Sequence, residues 1–293
     1  MGWVGLGMAL TLALSGAMNV ELNSVAAGAA LSVDVPTQIA WECKSGDSTT
    51  ALEVFLESVP ANSTVVFPRG GCFVINGTLL LRDKTGLTID GNSSRLEQTV
   101  SPATDAPIVE LWHDTNLTIQ GLRTTGAYNR SNGGAGNEGD YGIKFEADSG
   151  VTLTNDAVSN VQGDFLYFSP PYDVRTSDAP STGITITDST FTNAGYHGLT
   201  VESVGCPNLS PCNGLTVSHD TFQGMGADAM DFEYDDYSTP LNPDGTPCWA
   251  AQDWVTIQDN IWKNWSNGWF ASVPGQAPGV QEQHLTITNN LLL

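Results

Sequence analysis

Basic side chains are scarce in this sequence. Lys and Arg together number 10 against 32 Asp and Glu in 293 residues, for a formal net charge of -22. That scarcity excludes nucleic acid as a partner, because phosphate binding needs a basic footprint. It also makes acidic polymers poor ligands unless bound cations bridge the two like charges. Charged residues of both signs make up only 14% of the chain, whereas 40% is hydrophobic and Gly numbers 31. Such a balance belongs to a folded, turn-rich protein of a size that can bury a sizeable core.

Cysteine is sparse too: Cys43, Cys72, Cys206, Cys212 and Cys248. No CxxC pair and no cluster of His accompanies them, which argues against a zinc site. Cys206 and Cys212 share the loop GCPNLSPCNG and can pair with each other; Cys43 with Cys72 is the other natural pairing, leaving Cys248 over. Long apolar runs are confined to the start, where MGWVGLGMALTLALSGAMNV leads to small residues around AAGAA. The pattern reads as the core and cleavage site of a secretory signal over residues 1–30, although the basic residues that normally precede such a core are missing. Asn19 and Glu21 interrupt the run before it reaches membrane-spanning length. A buried N-terminal helix is the alternative. Export predicts a secreted protein, extracellular or periplasmic, in which disulfides are permitted and which leaves the membrane once the signal is removed. The sequons at Asn62, Asn76, Asn92, Asn116, Asn129, Asn208 and Asn264 agree with export, or arise by chance in so Asn- and Thr-rich a chain.

Helical patterns are nearly missing, and in their place stands a repeat. LTIDGN begins at Leu87, LTIQGL at Leu117, VTLTND at Val151 and ITITDS at Ile184; LTVSHD, VTIQDN and LTITNN follow at Leu215, Val255 and Leu285. The spacings are 30, 34, 33, 31, 40 and 30 residues. Each unit alternates apolar and polar residues, the period of a strand, and is rich in Thr and Val. A second apolar column follows at Val158, Phe191, Phe222, Trp262 and Leu292, and a third at Leu166, Leu199, Met230 and Trp269, with Ile143 joining it after an insertion. Strands recurring once per coil with polar turns between them describe a parallel β-solenoid, all-β in class, whose coils find their core only by stacking. A β-propeller would need four strands per repeat, more than these units hold.

Ahead of the repeats, GDSTTALEVFLESVPANSTVVFPRGGCFVINGTLLLRDKTGLTIDGN holds one helix signal: Asp47 or Ser48 would N-cap a helix over roughly residues 49–58. A cap of this kind protects the unpaired backbone of the first coil. On these residues and the repeats, which together cover roughly residues 43–293, the chain resembles the right-handed parallel β-helix superfamily that includes pectate lyases and polygalacturonases. The resemblance implies a right-handed β-helix with a short N-terminal capping helix. The organisation expected is a signal over 1–30, a cap and lead-in segment over 31–82 and the solenoid over 83–293. No amphipathic cap follows LTITNNLLL, so the solenoid is expected to continue in a longer protein.

Stacking the coils turns sequence positions into neighbours. In the third column Ile143/Phe145, Leu166/Phe168, Leu199/Val201, Met230/Phe232 and Trp269/Ala271 are expected to face inward. Lys144/Glu146, Tyr167/Ser169, Thr200/Glu202, Asp231/Glu233 and Phe270/Ser272 would face outward, and Tyr141, Asp164, His197, Asp228 and Asn267 would occupy the preceding turn. Same-face residues two apart on a strand lie about 6.6 Å from each other and adjacent coils about 4.8 Å. Asp231 and Glu233 would therefore sit near the lower limit of the roughly 6.5–9.5 Å that separates the carboxyls of inverting glycosidases. Glu202 would lie one coil away, close enough to raise a neighbour's pKa, and His197 between Asp164 and Asp228 is placed to hold or relay a proton. Taken singly, an outward Asp or a turn His is ordinarily a solvated or capping residue. Convergence of Asp164, His197, Glu202, Asp228, Asp231 and Glu233 on consecutive coils is what points to a site. Tyr167, Lys144, Tyr234 and Trp249, with Tyr172 and Tyr237, are the residues expected to meet substrate, the last ones on the long loops SPPYDVRTSDAPSTG and YDDYSTPLNPDGTPCWAAQDW. The Gly-rich RTTGAYNRSNGGAGNEGD would form the opposite wall.

No specific activity follows from the resemblance. Of the polygalacturonase-like Asn-Thr-Asp, Asp-Asp, His-Gly and Arg-Ile-Lys elements only His197–Gly198 is present in place, and the pectate lyase Arg-x-Pro-x-x-Arg element is missing. The expectation is a carbohydrate-active protein with a polysaccharide partner, foremost a glycoside hydrolase on a neutral or weakly charged glycan. Asp231 and Glu233 would be acid and base, with Asp228, His197 and Asp164 positioning substrate or water, and no metal or other cofactor required. One alternative is a calcium-dependent lyase or epimerase using Asp228, Asp231, Glu233, Asp235 and Asp236 as oxygen ligands. Another is a glycan-binding or adhesion module without catalysis.

Overall fold

A computed structural model describes residues 31–39, 42–43, 46–100, 106–128, 139–169, 180–205, 213–233, 254–272 and 284–293. The signal over 1–30 lies outside these residues, as do Cys206, Cys212, Cys248, Tyr172, Tyr234, Asp235, Asp236, Tyr237 and Trp249 with the loops that carry them.

Every repeat read from the sequence forms one strand of a nine-stranded sheet, and the chain then passes through an eight-stranded and a seven-stranded sheet before returning. All pairings are parallel. In the first sheet Thr88, Thr118, Thr152, Thr185, Thr216, Thr256 and Thr286 stand in register on the outer face. The alternate residues Ile89, Ile119, Leu153, Ile186, Val217 and Ile257 are buried in the core. The second sheet carries the expected column of Val158, Phe191, Phe222, Trp262 and Leu292 in one register. Its rings stack along the axis: Phe191 on Phe222 at 4.4 Å and Phe222 on Trp262 at 4.1 Å, with nearly parallel planes. In the third sheet Phe145 stacks on Phe168 at 4.5 Å. The molecule is a parallel β-solenoid.

The lead-in segment joins this architecture early. Leu31–Asp34 pairs with Ser63–Val66 in the first sheet, and the helix α1, Thr49–Ser58, buries Leu52, Phe55 and Leu56 over the end of the coils. Of the two candidate caps, Ser48 makes no side-chain capping bond to the helix, whereas Asp47 Oδ1 accepts the Thr49 N–H at 3.0 Å. Cys43 and Cys72 form a disulfide. No described helix is long and apolar enough to cross a membrane.

One feature of the repeat has a structural meaning that its sequence does not announce. Between the first and second sheets the fifth residue of the motif adopts the left-handed conformation, as at Asn155, Asp188, His219, Asp259 and Asn289. The sixth turns inward and bonds the preceding coil. Asp156 Oδ1 accepts the Leu122 N–H at 2.7 Å, Ser189 Oγ that of Asp156 at 3.1 Å, and Asp220 Oδ1 that of Ser189 at 2.6 Å. Asn260 Oδ1 accepts that of Asp220 at 2.8 Å, and Asn290 Oδ1 that of Asn260 at 3.1 Å. A second ladder runs along another corner, from Lys84 N–H to Asp114, from Asp114 N–H to Asp148 and from Asp148 N–H to Ser181. Burial pushes Asp156 up to about 8 and Asp114 and Asp220 up to about 7. Asp148 is raised well above its ordinary value by burial and by the Asp114 charge. The sequon residues Asn62, Asn92, Asn116 and Asn264 also hold left-handed corners, a backbone reason for Asn at those places.

The last coil departs from the expected alignment. Met230 pairs with Ala271 and Asp231 with Ser272, so Trp269 is not a core residue in the Met230 column. It lies two residues earlier, in the turn, and is 68% exposed. Asn267 N–H bonds the Ala227 carbonyl, and Gly268 follows with φ 84°, so the turn holds one residue more than in the coil before. Only Gly takes such an angle without strain.

Candidate active site

The outer face of the seven-stranded sheet, with the turn before each strand, holds the candidate residues. Register places Leu80, Glu110, Lys144, Tyr167, Thr200, Asp231 and Ser272 in one column along the axis. Although this column points away from the core, Tyr167, Thr200 and Asp231 are buried, and so are Glu202, Asp164, His197 and Asp228. The site is a recessed cluster and not a solvated surface.

His197 lies at its centre. Its backbone N–H donates to Asp164 Oδ1 at 2.7 Å, Nδ1 lies 3.4 Å from the same oxygen, and Nε2 lies 3.6 Å from Asp231 Oδ2. Thr200 Oγ1 is 3.3 Å from Nδ1. Burial disfavours the charged ring, but the hydrogen bond and charge of Asp164, together with Asp231 and Glu233, outweigh it and raise the pKa. Gly198, the second residue of the His-Gly pair, has a packing reason to lack a side chain: a Cβ there would stand 2.6 Å from the Ala229 carbonyl oxygen.

Asp231 and Glu233 are not held apart at strand spacing. The strand Met230–Asp231 ends before Glu233, and the Glu233 carboxyl is hydrogen-bonded to those of Asp231 and Glu202. Burial, then the charges of Asp231, Glu202 and Asp164, push Glu233 up to about 8. Asp231 is also raised, by burial against the opposing effect of His197 and of hydrogen bonds from Glu233 and Ser272. The Tyr167 hydroxyl donates to Glu202. A continuous set of contacts thus runs Tyr167, Glu202, Glu233, Asp231, His197, Asp164, with a proton held at Glu233. Among the described residues Oδ1 of Asp228 and Oδ1 of Asp231 are buried without a hydrogen-bond partner.

Two expected substrate contacts are engaged inside the protein. Lys144 Nζ lies 2.7 Å from Glu110 Oε1 and 2.9 Å from Glu146 Oε2, and only 14% of its side chain is exposed. Burial opposes its charge, but the Glu146 and Glu110 carboxylates prevail and raise its pKa, so it remains an ammonium. The Tyr167 ring is stacked on Tyr141 at 4.1 Å and 6°, which fixes the hydroxyl on Glu202. Sequence reasoning did not assign Thr200, Ser272 or Tyr141 to the site. Thr200 shares the outward column and was legible as a neighbour; Ser272 was displaced by the two-residue shift of the last coil. Among the described residues the only group of three side chains close enough to share a metal ion is Cys43, Cys72 and Glu97, where the cysteines form the disulfide; the carboxylates of the cluster do not form such a group.

With this geometry, comparison of the whole solenoid decides the architecture. An alginate lyase from Paenibacillus sp. superposes with a TM-score of 0.55 at 16% identity, covering 83% of this chain and 74% of its own. The two share the parallel β-helix fold. An α-1,3-glucanase from Streptomyces thermodiastaticus superposes at 0.52 and 14% identity, covering 92% of this chain, which spans about half (49%) of the glucanase catalytic unit. A surface adhesin of Streptococcus pneumoniae gives 0.49 at 11% identity over 90% of this chain and 78% of its own. No protein-family model matches the β-helix, and no curated protein matches it in sequence.

Proposed function

We propose that the β-helix is a secreted glycoside hydrolase that cleaves an uncharged polysaccharide along the outer face of the seven-stranded sheet. The observation that carries this reading is the Glu233 carboxyl, held protonated up to about pH 8 among Asp231, Glu202 and Asp164. Hydrolysis of a glycosidic bond needs a proton delivered to the leaving oxygen, and an acid whose pKa is raised into the working range does this best. Glu233 is that acid. Asp231, paired with the cationic His197, stabilises the positive charge that develops on the sugar ring, and Asp228, with a buried oxygen still open to a donor, orients the attacking water and takes up its proton as the new C–O bond forms.

Likeness of fold does not choose between hydrolysis and elimination; the charge states of the side chains on this face support the hydrolytic reading. Elimination needs a neutral base beside a uronate. The two cations among the candidate residues, Lys144 and His197, are both held in their charged forms by carboxylates. Neither cation is left over to neutralise a uronate. A calcium-dependent lyase or epimerase is therefore the second reading, and no calcium is required by the first. Placement outside the cell is supported by the Cys43–Cys72 disulfide.

The deciding experiment incubates the protein with a panel of neutral and uronate polysaccharides, with and without calcium, and identifies products by mass spectrometry. Fragments with an added water, lost in Glu233→Gln, are expected from the neutral members. Unsaturated fragments from a uronate polymer would replace the hydrolase by the lyase. Binding without any product would leave a glycan-binding module.

A further inference from the structure

We propose that Thr200 is a positioning residue that fixes the tautomer of His197, so that the uncharged ring carries its proton on Nε2, toward Asp231. What this does for catalysis rests on the proposed reaction; where the proton sits rests on geometry. Register places Thr200 between Tyr167 and Asp231 in the outward column, and His197 lies in the turn just ahead of the same strand, Leu199–Val201. From there Thr200 Oγ1 reaches Nδ1 of the ring at 3.3 Å. Thr200 is 1% exposed and His197 6%, so bulk solvent does not stand in for the hydroxyl.

The other groups around the ring come from three directions. Asp164, on the preceding coil, has Oδ1 at 3.4 Å from Nδ1, but that oxygen already accepts the His197 backbone N–H at 2.7 Å. Asp231, on the following coil, has Oδ2 at 3.6 Å from Nε2, and Glu233 acts on the ring from the same coil. The Tyr196 ring meets the imidazole edge-on at 4.7 Å. A carboxylate only accepts a hydrogen bond, whereas a hydroxyl accepts or donates. While the ring is cationic, both of its N–H groups face acceptors. Once it loses a proton, one nitrogen needs a donor, and Thr200 supplies that donor at Nδ1. Losing the Nε2 proton instead would turn a lone pair toward Asp231. The Nε2–H therefore stays on Asp231 in both charge states of His197, and Asp231 keeps its partner as the ring titrates. A residue serving only as a β-branched strand former would leave the tautomer indifferent to its hydroxyl.

The test is nitrogen NMR of the full chain labelled with ¹⁵N at histidine, titrated without substrate, with His197→Gln used to identify the His197 signals. The neutral ring of the wild type should carry its proton on Nε2, a result that needs no variant to read. Thr200→Val removes the hydroxyl at nearly constant size and should lower the ratio of Nε2–H to Nδ1–H about tenfold, the order of one hydrogen bond. Thr200→Ser should restore it. Circular dichroism confirms that each variant is folded. A neutral wild-type ring protonated on Nδ1, a ratio unchanged in Thr200→Val, or a Thr200→Ser ring that behaves like Thr200→Val would overturn the assignment. Turnover by the wild type on the polysaccharide panel is read separately. An altered tautomer in Thr200→Val without wild-type turnover retains the role of Thr200 and removes the hydrolase; turnover with an unchanged tautomer does the reverse.

Discussion

A buried carboxyl loses its proton only if its surroundings can hold the resulting charge, and around Glu233 the burial and the neighbouring Asp231 and Glu202 make that costly. If this carboxyl is the catalytic acid, the rate falls as pH rises through about 8, because the acid acts only while protonated. Initial rates of reducing-end release from pH 5 upward would show this basic limb, and Glu233→Gln should lower turnover by roughly 10²–10⁴ with unchanged circular dichroism. Tyr167 offers a finer test. Tyr167→Phe keeps the ring on Tyr141 but removes the donor from Glu202. Glu202 then holds the shared proton more strongly, so the basic limb should move to higher pH; an unmoved limb would show that Tyr167 only packs.

At the scale of the strand and the corner, the inward ladder residues differ in kind: Asp156, Ser189, Asp220 and Asn260 do the same bonding job with and without a titratable proton. Asp220→Asn should therefore leave stability unchanged below about pH 4 and raise it progressively from there to about pH 7, as the carboxyl ionises freely in the unfolded chain but not in its buried native place. Urea unfolding at two pH values checks this. At the capped end, replacing both Cys43 and Cys72 by Ser should cost about 2–4 kcal/mol in the same measurement. These elements also show what could be read from the sequence. The Thr columns and the Val158–Phe191–Phe222–Trp262 column were legible because a fixed period forces like residues into one file. Asp156 and Asp220 were not, since a polar residue at a turn looks solvated until its partner coil is in place. Trp269 was misplaced because counting from the start of a repeat assumes turns of constant length, and the turn at Gly268 is longer. The meeting of Asp231 with Glu233 was hidden for a related reason: strand spacing does not apply once the strand has ended.

For the molecule as a whole the raised groups act together. Asp114, Asp148, Asp156, Asp220 and Glu233 have folded-state pKa values above the ordinary carboxylate range. Each such group contributes stability that is complete below about pH 4, where the unfolded chain is also protonated, and that is lost as pH rises through the folded values. His197, raised as well, adds in the same sense. A net charge of -22 adds self-repulsion as the acids ionise. The melting temperature should accordingly fall from about pH 5 to about pH 9, the reverse of ordinary acid denaturation, and scanning calorimetry across that interval tests it. The corner ladder has one more consequence, for how such a chain changes over time. Each rung joins a backbone N–H of one coil to a side chain of the next, so duplicating or deleting a whole coil restores every bond with a new neighbour. Gaining or losing part of a coil orphans a buried donor. Solenoid length is thus free to drift in integral turns, and the face beside the acids lengthens or shortens with it, like a ruler cut only at its marks.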